Sequence, residues 1–120
     1  MTTPRWLLGF RYAAKVTLER SHGRPIAQPP IDEVEAEVRR LGKELEYLVL
    51  DMGGENYLQA ASGGRYEIPA GVLWVERREG GPDVHFRCEV TTLDEVAEIF
   101  RDYLLDQDGW GARHWEQIWL

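Results

Sequence analysis

Alternating positions dominate the middle of the chain. Val72, Trp74 and Glu76 alternate with Leu73, Val75 and Arg77, and after a turn Val84, Phe86, Cys88 and Val90 alternate with His85, Arg87 and Glu89. A period of two is what a strand with one buried face requires. Between the arms, Glu79-Gly80-Gly81-Pro82-Asp83 supplies the turn, with glycines free to take positive φ and a proline that cannot donate to a ladder. Residues 71–90 therefore predict a complete β-hairpin, and the other elements are read around it.

Upstream, Tyr12, Ala14, Val16 and Leu18 alternate with Arg11, Ala13, Lys15, Thr17 and Glu19, which predicts an opening strand over 9–20. Ser21 to Pro30 is a loop rich in turn formers. Ile31, Val34, Val38 and Leu41 follow at spacings of three and four, acidic residues early and Arg39, Arg40 and Lys43 late. That is an amphipathic helix whose charges suit its own dipole, stopped near Gly42. Residues 45–50 are apolar on both faces and predict a strand in the middle of the sheet, under a helix. Gly53-Gly54 turns the chain into a strand over 56–61, and Ser62-Gly63-Gly64 turns it again toward the hairpin. Thr92-Leu93-Asp94-Glu95 is a capping box before the stripe Val96, Ile99, Phe100, Tyr103, Leu104, and Asp108-Gly109 ends that helix. Three of the five tryptophans fall in residues 110–120, an apolar load that predicts a tail docked back as a short helix or edge strand. The sum is a single α+β domain over 1–120: an antiparallel β-meander of four to five strands, two main helices packed on it, and a Trp-rich C-terminal segment.

Composition narrows the class. A chain of 120 residues has room for one core, and 43% hydrophobic with 29% charged residues is ordinary for a globular protein. No apolar run approaches the ~20 residues of a membrane span, and the short patch Trp6-Leu7-Leu8 is too brief for a signal peptide. These features predict a cytoplasmic protein with no membrane partner. Cys88 is the only cysteine, which excludes an internal disulfide and suits a small buried hydrophobe on its strand. A net charge of -7, with twelve arginines and two lysines scattered along the chain, argues against nucleic acid as a partner. It suits plain solubility or steering toward a basic partner.

Candidate chemistry is sparse. His22, His85 and His114 form no metal-ligand spacing, and the glycine pairs sit at turns and do not open helices, so neither a metal nor a cofactor is expected and no catalytic residue is assigned. Asp51, Glu55 and Glu76 stand at expected strand ends, where paired carboxylates serve acid–base work or hold a cation, or else form a solvated rim. Glu76 shares a strand face with Trp74, and Glu67 lies on the preceding strand, so the three can form an acidic and aromatic surface of the kind interfaces use, although Trp74 also reads as a core residue. Asp106, Asp108 and Trp110 repeat that composition after the second helix.

The order of these features, with the arm Val72-Leu73-Trp74-Val75-Glu76-Arg77, the acidic helix from Thr92 to Leu105, and the closing Asp108-Gly109-Trp110 with Trp115, resembles the small immunity proteins of bacterial polymorphic-toxin systems. The likeness spans residues 30–119 in outline and is strongest to the group whose α+β domains end in a tryptophan segment. It implies a non-enzymatic inhibitor that binds a cognate toxin, a basic nuclease or deaminase for example, and blocks its active site. Partner contacts would then fall at Glu55, Glu67, Trp74, Glu76, Asp106, Asp108 and Trp110. Two other classes stay open: a ligand-binding or enzymatic domain using a cleft between the sheet and the C-terminal tail, and a homodimer formed through that tail.

Overall fold

The computed structural model describes residues 16–64, 67–105 and 113–119. In chain order they form β1 (Thr17–Arg20), β2 (Ile26–Ala27), α1 (Ile31–Val38), β3 (Tyr47–Gly53), β4 (Asn56–Ser62), β5 (Leu73–Glu79), β6 (His85–Val90), α2 (Leu93–Leu104) and β7 (Glu116–Gln117). All the strands pair antiparallel in one open sheet of order β2-β1-β3-β4-β5-β6-β7. The fold is α+β with a central meander, as the alternation predicts, but the sheet has seven strands where four to five were expected. The two extra strands are two-residue edges, β2 inside the presumed loop and β7 in the tail. Two residues are too few to display a period, so no pattern announced β2, whereas β7 takes the edge-strand option expected of the Trp-rich tail.

Register explains the layering. Leu18 faces Leu50, Leu50 faces Leu58, Ala60 faces Val75, and Val75 faces Cys88, so one face of the sheet is a continuous apolar surface. Val34 and Val38 of α1 and Val96, Ile99, Phe100, Tyr103 and Leu104 of α2 share one buried cluster with it. Each large side chain removed from water there contributes roughly 1.5–3 kcal/mol. The capping box forms in part: the Glu95 amide donates to Thr92 Oγ1 at 3.2 Å, and the Glu95 carboxylate reaches back to the amide of Thr91 at 3.5 Å, one residue beyond the amide expected.

The first helix stops at Val38, before Gly42. The amides of Arg40 and Leu41 bond three residues back, to Glu37 and Val38, and Gly42 at φ 80° lets its own amide meet the Leu45 carbonyl at 2.8 Å. Glu37, which the pattern assigns to the charged face, is buried at 7% exposure. It is held by Arg20 of β1 at 2.6 Å and by Arg40 at 2.7 Å, which ties the helix to the sheet. Arg101 to Glu35 at 2.9 Å and Arg39 to Asp94 join the two helices.

Gly63 is needed for close approach and not for its φ: a Cβ there would stand 2.2 Å from the Pro69 carbonyl oxygen. The tail docks as an edge strand. Gln117 pairs with Phe86, the Ile118 amide donates to the His85 carbonyl at 2.8 Å, and Arg77 lies between the rings of Phe86 and Trp115 at 4.3 and 5.2 Å. No helix among the described residues is long and apolar enough to cross a membrane.

Glu37→Ala should lower the free energy of unfolding in urea by about 3 kcal/mol, because it leaves Arg20 shielded and without its carboxylate. Glu44→Ala, which removes only the exposed partner of Arg40, should stay within about 0.5 kcal/mol of the parent protein.

Candidate functional site

The face of the sheet turned away from both helices is where four of the seven expected contact residues, Glu55, Glu67, Trp74 and Glu76, lie. The same registers that align the core place Trp74 opposite Glu89, Glu76 opposite Arg87, and Arg78 opposite His85, with Ala61, Gln59 and Tyr57 beside them on β4. Trp74 is thus not a core residue. It lies half-buried on this outer face because β5 alternates, and Leu73 and Val75 take the inward positions. The double apolar character of β3 has the same resolution: Leu48 and Leu50 enter the core while Tyr47 and Val49 face outward. They were expected to lie under a helix, but the helices sit only behind Leu48 and Leu50.

Tyr47, Val49, Gln59, Ala61, Glu67, Ile68, Trp74, Glu76 and Arg87 surround an open cleft of about 430 Å³. Three expected contact residues, Glu67, Trp74 and Glu76, meet there. Arg87 stacks its guanidinium on the Trp74 ring at 3.5 Å, and the Trp74 indole donates to Glu89 at 3.1 Å. Stacked cations of this kind contribute roughly 0.5–2 kcal/mol.

Behind the cleft runs a chain of polar contacts. Arg78 Nε donates to His85 Nδ1 at 3.2 Å, which puts the ring proton on Nε2, and Nε2 donates to Glu76 Oε1 at 2.6 Å. His85 is 1% exposed, with both ring nitrogens engaged, so it holds Glu76 and has no free nitrogen to offer a substrate. Glu55 joins the other end of this chain, its carboxylate 3.2 Å from Arg78 Nη1. Asp51 does not join: its carboxylate accepts from the Gly53 amide at 2.8 Å. Asp51, Glu55 and Glu76 therefore form no shared acid pair, and no group of three or more His, Cys, Asp or Glu side chains surrounds a common point among the described residues.

Glu55 and Glu67 both sit in the left-handed region, at φ 62° and 66°, and Glu67 therefore lies in the turn between β4 and β5 and not on a strand as expected, because that backbone conformation cannot continue a ladder. A non-glycine residue there costs roughly 1–2 kcal/mol. Two of the three non-glycine residues so placed among the described residues are acids beside this face. Asp106, Asp108 and Trp110 lie outside the described residues. Sequence reading missed Tyr47, Arg78, His85 and Arg87. Their alternation was visible, but which residue stands opposite which depends on the hairpin turn, closed by the Glu79 amide on the Val84 carbonyl at 3.0 Å.

Charge on this face is lopsided. Glu19, Asp51, Glu76, Glu89 and Glu116 project from the strands and Glu55 and Glu67 from the turns, against Arg78 and Arg87 among the described residues. Burial and then the neighbouring Glu76 and Glu55 hold the Tyr57 hydroxyl above its ordinary range, with Arg78 opposing.

A second cleft, of about 360 Å³, opens where β6 meets the tail, between Cys88, Val90, Glu95, Arg113, His114 and Glu116. Arg113 spans it to Glu95 and Glu98, both at 3.2 Å. Cys88 is 4% exposed and burial pushes its thiol up, so it is the small buried hydrophobe expected and a poor nucleophile. At Glu95 burial acts upward, but the bonds from Thr92 and Thr91 and the charge of Arg113 outweigh it and hold the carboxyl below its ordinary 4.5.

Comparison with family models, curated proteins and solved structures gave no match.

Because the folded state lowers the Glu95 pKa, its ionised form favours the fold. That contribution is complete above the unfolded value and is lost as pH falls through the folded value. The stability difference between the parent protein and Glu95→Gln should be constant near neutrality, begin to shrink near pH 4.5, and vanish at lower pH in urea titrations repeated across pH.

Proposed function

We propose that this chain is a non-enzymatic inhibitor of the immunity type, which binds a basic toxin through the outer face of its sheet and occludes the toxin's active site. One observation carries the reading: among the described residues, seven carboxylates stand against two guanidiniums on an open face, with Trp74 stacked at its middle. An aromatic anchor ringed by charges is the arrangement from which interface hot spots are built. The acidic field adds attraction over distance and raises the rate of encounter with a positive partner. The backbone of the face is rigid, since β3 to β6 pair along most of their length, so little ordering cost accompanies binding.

The cleft between β6 and the tail is where a small-ligand reading would act. Its principal cation, Arg113, is already shared by two carboxylates, which favours a structural role in pinning the tail to α2.

The test is capture of the partner by tagged protein in the source cells, at low and high salt, followed by an activity assay of the captured protein with and without the chain. Inhibition at one-to-one stoichiometry, weakened by salt, is expected. Trp74→Ala should loosen the complex about thirtyfold, the scale of a hot-spot residue, and Glu67→Arg should slow association, with circular dichroism verifying that each variant is folded. A captured protein whose activity is untouched, or binding indifferent to both substitutions, would sink the reading.

A further inference from the structure

We propose that the cleft bounded by Glu67, Trp74 and Glu76 receives a single arginine side chain from the partner. This deepens the inhibitor reading and rests on it. At about 430 Å³ the cleft falls in the size range of sites that enclose small groups, too small for a helix but ample for a side chain. Its walls are the apolar and aromatic surfaces of Val49, Ala61, Ile68, Tyr47 and Trp74, which suit the methylene stem and flat head of an arginine.

Its two carboxylates call for donors, while the buried Arg87 Nε, which has no hydrogen-bond partner among the described residues, calls for an acceptor. His85 occupies Oε1 of Glu76, while among the described residues Oε2 has only Arg87 Nε at 3.5 Å, an ion pair too loose to satisfy it. Glu67 is exposed and makes no ion pair or hydrogen bond among the described residues, yet it is kept at φ 66° where a glycine would be unstrained. A guanidinium offers five donors in one plane, enough for both carboxylates at once; an ammonium is a point charge that cannot span them while lying flat on a ring.

Trp74 already stacks one such group, Arg87, so the ring is shown to accept a planar cation. The charge of Arg87 opposes a second cation, but Glu67 and Glu76 outnumber it among the lining side chains, and an anion would meet both. His85 is here a positioning residue: by fixing Oε1 it leaves the other oxygen of Glu76 on the side of Arg87 and the cleft.

The probe is N-acetyl-arginine amide, titrated into the full chain and followed by proton–nitrogen correlation spectra, with the lysine and glutamine analogues alongside. The arginine probe should shift the Trp74 indole and the Glu67 amide saturably. The lysine analogue should bind about tenfold more weakly and the glutamine analogue not at all. Glu67→Gln, an isosteric change on an exposed turn, should weaken the arginine probe about tenfold; Glu76→Gln should do the same, and if it unfolds the chain Glu67→Gln alone decides. Equal shifts from arginine and glutamine, or Glu67→Gln binding as the parent does, would overturn the proposal. The two readings fail separately. Inhibition of a toxin that survives Glu67→Gln removes the cleft and leaves the inhibitor, whereas arginine binding by a chain that inhibits nothing does the reverse.

Discussion

Two helices of eight and twelve residues can cover one face of this sheet and no more. Everything else follows from that constraint. The covered face becomes the core, built from Leu18, Leu48, Leu50, Leu58, Val75 and Cys88 against Phe100, Tyr103 and the valines of both helices. The residues between them are thrown outward by the pleat, with no second helical layer among the described residues to shelter them. A sheet whose far side is wet would ordinarily carry dispersed polar residues. Here that side instead concentrates acids and an aromatic cleft.

The polar chain from Glu55 through Arg78 and His85 to Glu76 gives that face its rigidity. Each member is held by another: Arg78 by a carboxylate and an imidazole, His85 by a donor on one nitrogen and an acceptor on the other. Shielded polar groups satisfied in this way resist rearrangement, since breaking one contact strands the next. At the rim, Glu67 has no such commitment among the described residues. On the proposed reading, the fixed interior presents the open edge to a partner.

The same contrast explains how much of the site could be read beforehand. Glu67, Trp74 and Glu76 stood out by composition and do share one cleft. Glu55 reached the site only through Arg78, and Asp51 was diverted to cap its own turn. Trp74 was weighed as core because tryptophan is large and apolar; the register of β5 put it outside. Glu37 was counted with the solvated charges of α1, but the approach of Arg20 from β1, 17 residues earlier, made it the ion that joins helix to sheet.

Local pattern alone determined the hairpin, the meander, both helices, the capping box and the burial of Cys88, because each depends on neighbours two to four residues apart. Only the tertiary structure decided which of two plausible faces of β3 and β5 met the helices, that a two-residue edge at Ile26 joined the sheet and the tail at Glu116 docked as a strand and not a helix, and that His85, Arg87 and Glu76 stood within reach of one another. Those outcomes rest on cross-strand register and on contacts between residues far apart in the chain, and a period along one strand carries no record of what lies across from it.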